Sequence, residues 1–104
     1  MKRIKKDEPL AELIAVLLRI KTADLMERFL RDLCTPGELK DLAERWQVSL
    51  LLDEGDLSYR DISAQTGTSL ATITRVARFL KTESYQGYRE MIDTIQKSKV
   101  KEKK

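Results

Sequence analysis

The sequence contains no histidine, and its 104 residues include one cysteine, Cys34. Without an imidazole there can be no Ser-His-Asp triad, no Cys-His dyad and no His-ligated zinc. One thiol cannot close an internal disulfide or build a thiolate metal cluster, so nothing marks an oxidising compartment. Apolar runs such as Ala15–Leu18 and Leu50–Leu52 fall far short of the ~18 residues a membrane span needs. The basic start Lys2-Arg3-Ile4-Lys5-Lys6 gives way to Asp7-Glu8-Pro9 and then a charge-dotted helix, not to the apolar core of a signal peptide. Four glycines and two prolines make no linker, and no Gly-rich loop could cradle a phosphate. These absences point to a soluble, cytoplasmic protein with no membrane contact, no metal site and no catalytic activity. The acids Asp53, Glu54 and Asp56 read as a solvated turn, since no longer ligand pattern accompanies them.

Charge is abundant but uneven. Lys and Arg number 20 and Asp and Glu 17, a formal net charge of +3. Residues 1–8 carry a net +2 and residues 96–104 a net +4, so the interior is acidic, at −3. A basic isoelectric point made by two chain ends is no argument for nucleic acid, and any such argument must be local. We therefore expect a flexible basic N-terminus over 1–8, one all-helical domain over 9–95 and a Lys-rich flexible tail over 96–104.

Apolar residues recur at helical spacing throughout, without the alternation of a strand. Pro9 opens a first helix with Leu10, Leu13, Ile14, Leu17 and Leu18 on one stripe. Thr22 caps a second helix carrying Leu25, Met26, Phe29, Leu30 and Leu33. Thr35-Pro36-Gly37-Glu38 forms a capping box for a third, with Leu39, Leu42, Ala43, Trp46 and Leu50 on its stripe and Gly55 at its end. Ser58 with Asp61 three residues on, and Leu57 with Ile62 as a staple, start a short fourth helix. Gly67 breaks it, and Thr68 or Ser69 caps a fifth helix with Ile73, Val76, Ala77 and Leu80 inward. A sixth starts near Tyr85 and carries Tyr88, Met91, Ile92 and Ile95. The predicted fold class is all-α, with about six helices. Trp46 belongs to the core or to a subunit interface, and Cys34 behaves as a small hydrophobe.

The informative segment is about 58–81: short helix, Gly turn, second helix, which makes a helix-turn-helix. Ile62 and Ile73 fix the crossing, while Ala64 and Ala77 let the helices approach. At 100° per residue, the side opposite Ile73 and Leu80 carries Ala71, Arg75, Arg78 and Thr82, flanked by Thr72 and Thr74. No acid lies on that face. Arg grips guanine or phosphate, Thr bonds either base class or meets a thymine methyl, and Ala lets the backbone come close. Across Tyr59–Lys81 the net charge is +3, so the positive field is local to this unit. The pattern predicts a DNA-reading surface; the alternative is a helical protein-interaction module without specific DNA binding.

The stretch Thr66–Arg75, and above all the Ala71-Thr72-Ile73-Thr74-Arg75 string, resembles the recognition helix of the Trp repressor family. Upstream, Leu33–Glu38, Arg45, Leu51-Leu52 and Gly55–Ser58 fall in register with that family without a gap through Lys81. The likeness covers roughly 35–81 and is nearest to the Trp-repressor-like proteins of Gram-positive bacteria. It implies an intertwined homodimer that acts as a DNA-binding transcriptional regulator, a repressor, on a pseudo-palindromic double-stranded operator. By position, Ser69, Leu70, Ala71, Thr72 and Thr74 match residues that approach base edges. Arg60 matches a residue at the DNA surface, with Tyr59 and Ser63 beside it. We add Arg75 to the base readers and assign Arg60, Arg78 and Lys81 to phosphate.

The resemblance also implies a tryptophan pocket, whose positions match Thr35, Arg45 and Arg75. Two departures bear on it: the family's glycine after the second arginine is Val76, and its small serine against the indole is Phe79. Side chains of that size overfill a cavity shaped for indole. No cofactor is expected. A small-molecule co-repressor stays open, but tryptophan is disfavoured. Arg75 is then free for DNA or pairs with an acid such as Glu44.

Overall fold

The computed structural model describes residues 7–102, with side chains through Lys99. Among these residues there are six helices and no strand: α1 (Glu8–Arg19), α2 (Ala23–Leu33), α3 (Pro36–Glu54), α4 (Tyr59–Thr66), α5 (Leu70–Lys81) and α6 (Gly87–Glu102). The expected basic N-terminus falls almost wholly outside the described residues. Of the Lys-rich tail, the backbone stays helical through Glu102.

The contacts divide the chain into two units, one ending at Leu39 and one starting at Lys40. In the first unit, Thr22 caps α2 by accepting a hydrogen bond from the Leu25 N–H at 3.2 Å. The Thr35 capping box is present: its hydroxyl accepts from Glu38 N at 3.1 Å, and its own N–H donates to Glu38 Oε1 at 2.8 Å. The Thr35 N–H on its oxygen holds the Glu38 carboxyl below its ordinary pKa, with a smaller contribution from the Thr35 hydroxyl. Ion pairs Arg28–Asp24 and Arg31–Glu27 brace α2 along its outer side. Neither α1 nor α2 has a buried residue, despite the leucine stripes that both carry.

The second unit holds the core: Val48, Leu52, Ile62, Ile73, Val76, Ala77, Leu80 and Ile92. Ile62 and Ile73 are completely buried, and each such side chain stabilises the fold by ~1.5–3 kcal/mol. The expected inner stripe of α3 needs correction. Leu42 is 46% exposed and Ala43 is exposed, while Val48, Ser49 and Leu52 are buried. Apolar residues occur on more than one side of this helix, and the core takes the side bearing Val48 and Leu52, one turn apart. Ser49 can join them because its hydroxyl donates to the Trp46 carbonyl at 2.6 Å and enters the interior satisfied.

Two smaller expectations also change. Ala64 is exposed and spaces nothing; Ala77, 5% exposed, is the small residue at the packed face. The sixth helix begins at Gly87, not near Tyr85, because Gln86 adopts φ 57, which no α-helix tolerates. Before it, the N–H groups of Thr82 and Glu83 both donate to the Arg78 carbonyl, and the Gln86 side chain donates to Glu83 O at 2.6 Å. A turn thus fills residues 82–86.

Candidate nucleic-acid interface

Helices α4 and α5 form the helix-turn-helix, and the caps written in the sequence define both ends of its turn. Ser58 Oγ accepts from Asp61 N at 3.1 Å, and Asp61 Oδ2 accepts from Ser58 N at 3.4 Å. Leu57 packs against the core to which Ile62 belongs. Gly67 sits in the left-handed region at φ 78 and donates to Ser63 O at 2.8 Å, so α4 ends there. Ser69, not Thr68, is the cap of α5, accepting from Thr72 N at 3.2 Å. Thr68 is instead buried in the turn, its N–H donating to Thr66 Oγ1 at 3.1 Å.

With Ile73, Val76, Ala77 and Leu80 turned into the core, the other side of α5 is open. Leu70, Ala71, Thr74, Arg75, Arg78 and Lys81 are exposed, and Thr72 and Phe79 are half-buried at the edge. On α4, Tyr59 and Arg60 are exposed and Ser63 is half-buried. The hydroxyls are partly engaged. Thr74 Oγ1 donates to the Leu70 carbonyl at 2.9 Å, which leaves the oxygen's lone pairs available to a donor. Thr72 Oγ1 shares a 3.0 Å bond with Ser69 Oγ.

The arginines have partners that residue counting did not reveal. Glu83, just beyond α5, comes within 3.5 Å of Arg78 Nε. The Arg75 guanidinium carbon lies 4.3 Å from the centre of the Phe79 ring, and that of Arg78 lies 5.2 Å from it. The spacing of positions 75 and 79, one helical turn, was the readable signal for the closer stack. Glu44, weighed as a partner for Arg75, is paired with Lys40 at 2.9 Å, and this bond raises the Lys40 pKa.

The residues matching an effector pocket lie as follows. Thr35 is the cap of α3. Arg45 is half-buried and lines a polar cavity of about 270 Å³ with Asp41, Glu44, Thr68, Ser69 and Thr72. Val76 is 1% exposed, inside the core. Phe79 lines an apolar hollow of about 400 Å³ with Trp46, Tyr85, Tyr88 and Met91. Trp46 and Tyr88 stack there at 6.5 Å between ring centres.

Sequence reading also missed the support behind the unit. Arg89 on α6 donates to Asp53 Oδ1 at 2.6 Å and to Asp93 Oδ1 at 2.7 Å, and Gln96 donates to Asp53 Oδ2 at 3.1 Å. The Arg89 hydrogen bond holds the Asp53 carboxyl below its ordinary range, and both carboxylates push the Arg89 pKa upward. No helix among the described residues is long and apolar enough to cross a membrane.

Comparison with known proteins gives one answer. The family model described as Trp repressor protein matches residues 8–96. The Bacillus subtilis (strain 168) protein YerC is 40% identical over 75 residues, which span 72% of this chain and 71% of that protein. A Trp operon repressor homolog of Chlamydia trachomatis serovar L2 is 42% identical over 59 residues, covering 53% of this chain and 63% of its own. The crystal structure of a TrpR-like protein from Eubacterium eligens ATCC 27750 superposes with a TM-score of 0.81 at 33% identity, covering 88% of this chain and 92% of that one. The helix-turn-helix, the register of its motifs and these likenesses together show that the chain belongs to the Trp repressor family, a family of transcription regulators and not of enzymes.

Proposed function

We propose that the chain is a sequence-specific DNA-binding repressor that works as a homodimer on a pseudo-palindromic operator. The observation that carries this reading is the outer side of α5: Ala71, Thr74, Arg75 and Arg78 project from a helix whose opposite side is wholly buried. That surface suits the major groove. Ser69, Ala71, Thr72, Thr74 and Arg75 read base edges, with Leu70 and Tyr59 supplying apolar contact. Arg60, Arg78 and Lys81 hold phosphates, a contribution that weakens as salt rises, and Ser63 lies beside them.

The homodimer is supported by what α1 and α2 leave uncovered. Leu10 is 62% exposed and Leu18 79%, on helices without a single buried residue. Stripes of this kind are stabilised by an apolar partner, and a second copy supplies one. Two reading helices about 34–36 Å apart would then meet successive turns of one duplex face. A buried Val76 and a Phe79 ring beside Arg75 support binding that does not depend on tryptophan.

Selection of bound fragments from random duplex DNA, with and without added amino acids, tests the reading. The expected result is one enriched pseudo-palindrome, recovered equally well without tryptophan, with retention that falls as salt rises. Recovery without sequence enrichment contradicts the reading, and enrichment only in the presence of tryptophan contradicts its ligand-independence.

A further inference from the structure

Arg75 is exposed at the middle of the open side of α5, and among the described residues its contact is with a ring, not with an acid. Its guanidinium carbon is 4.3 Å from the Phe79 ring centre, and the Arg78 guanidinium carbon is 5.2 Å from the same ring. Stacking occupies the flat face of a guanidinium and leaves its N–H donors, which lie in the plane, pointing outward. A free arginine samples many rotamers and loses that freedom on binding, whereas one already resting on a ring has lost part of it beforehand. Phe79 is itself half-buried and lines the apolar hollow together with Trp46 and Tyr88.

We propose that Phe79 is a positioning residue of the DNA-reading surface: its ring orients Arg75, and secondarily Arg78, so that their N–H edges meet the duplex. The inference rests on the DNA-binding reading above and adds to it a residue that touches no base. Arg78 has a second restraint in Glu83, at 3.5 Å, so Arg75 depends on the ring the more.

The test is a double-mutant cycle in the full chain, read as affinity for the selected operator and for a shuffled duplex. The proteins are wild type, Phe79→Leu, Phe79→Tyr, Arg75→Ala, and Phe79→Leu with Arg75→Ala, and each is checked by thermal unfolding. Leucine keeps an apolar side chain in the hollow but removes the π face. Phe79→Leu should weaken operator binding ~5- to 30-fold, Phe79→Tyr should restore it, and Phe79→Leu should cost little further once Arg75 is alanine. The inference is overturned if Phe79→Leu binds as wild type does, or if its loss is as large without Arg75, since Phe79 would then act through packing alone. Wild-type protein with no preference for the operator overturns the DNA-binding reading itself, and this inference with it; that failure is separate because it appears before any substitution is made.

Discussion

Arg89 on α6 and Asp53 at the C-terminal end of α3 lie 36 positions apart in sequence and 2.6 Å apart in space. The bond pins α6 against the helix that backs the reading unit, and Gln96 adds a second contact to the same carboxylate. Because Arg89 lowers the Asp53 pKa, the pair stabilises the fold fully above the ordinary carboxylate value of 3.8. That stabilisation disappears as pH falls through the lowered value. Asp53→Asn should therefore lower the Tm at neutral pH, and its difference from wild type should shrink on acidification below about pH 4. Parallel thermal melts across that range check this; a gap that widens in acid would contradict it.

Gly67 makes the turn between α4 and α5 with φ 78, and a Cβ added there would meet nothing within 4 Å. The cost of Gly67→Ala is thus conformational and not steric, about 1 kcal/mol, or a fall of ~4–8 °C in Tm for a chain of this size. Thermal unfolding measures it. An unchanged Tm would mean that the turn relaxes out of the left-handed region.

Much of this was readable from residues that act on near neighbours. Thr22, Thr35, Ser58 and Ser69 bond amides three positions on, so their spacing alone sets the starts of α2 to α5. The inner stripe of α5 was legible because a single side of that helix is apolar. The stripe of α3 was not, because its leucines spread around the helix and a serine, Ser49, goes inside on a bond to its own backbone. Nor did periodicity place the start of α6, which depends on one left-handed residue, Gln86. Contacts made across turns or between helices, such as Glu83 with Arg78 and Arg89 with Asp53, follow from the fold and leave no local pattern. The open face of α5 was foreseen as free of acid; the glutamate that reaches back to it was not.

The two kinds of DNA contact should separate under mutation. Arg78→Ala should weaken binding to all duplexes alike and flatten the salt dependence. Thr72→Ala should instead reduce the ratio of operator to shuffled affinity, by ~1–3 kcal/mol for a good base contact. Titrations of both duplexes at several salt concentrations measure these effects. A changed base preference in Arg78→Ala together with an unaltered Thr72→Ala would reverse the assignment.

Leu18, 79% exposed on α1, is expected at the contact between copies. Leu18→Glu should shift the protein toward monomer in sedimentation velocity and weaken operator binding, while leaving the α4–α5 unit folded. A wild-type protein that sediments as a monomer at all concentrations would remove the homodimer from the proposal.

The most direct measurement is a titration of isotope-labelled protein with the selected operator, followed by NMR at each amide and arginine side chain. The largest changes should fall on Ser69–Arg78, with Arg75 Nε among them and Tyr59 and Arg60 at the edge. Changes confined to α1 and α2, or none that distinguish the operator from a shuffled duplex, would contradict the claim that the outer side of α5 reads DNA.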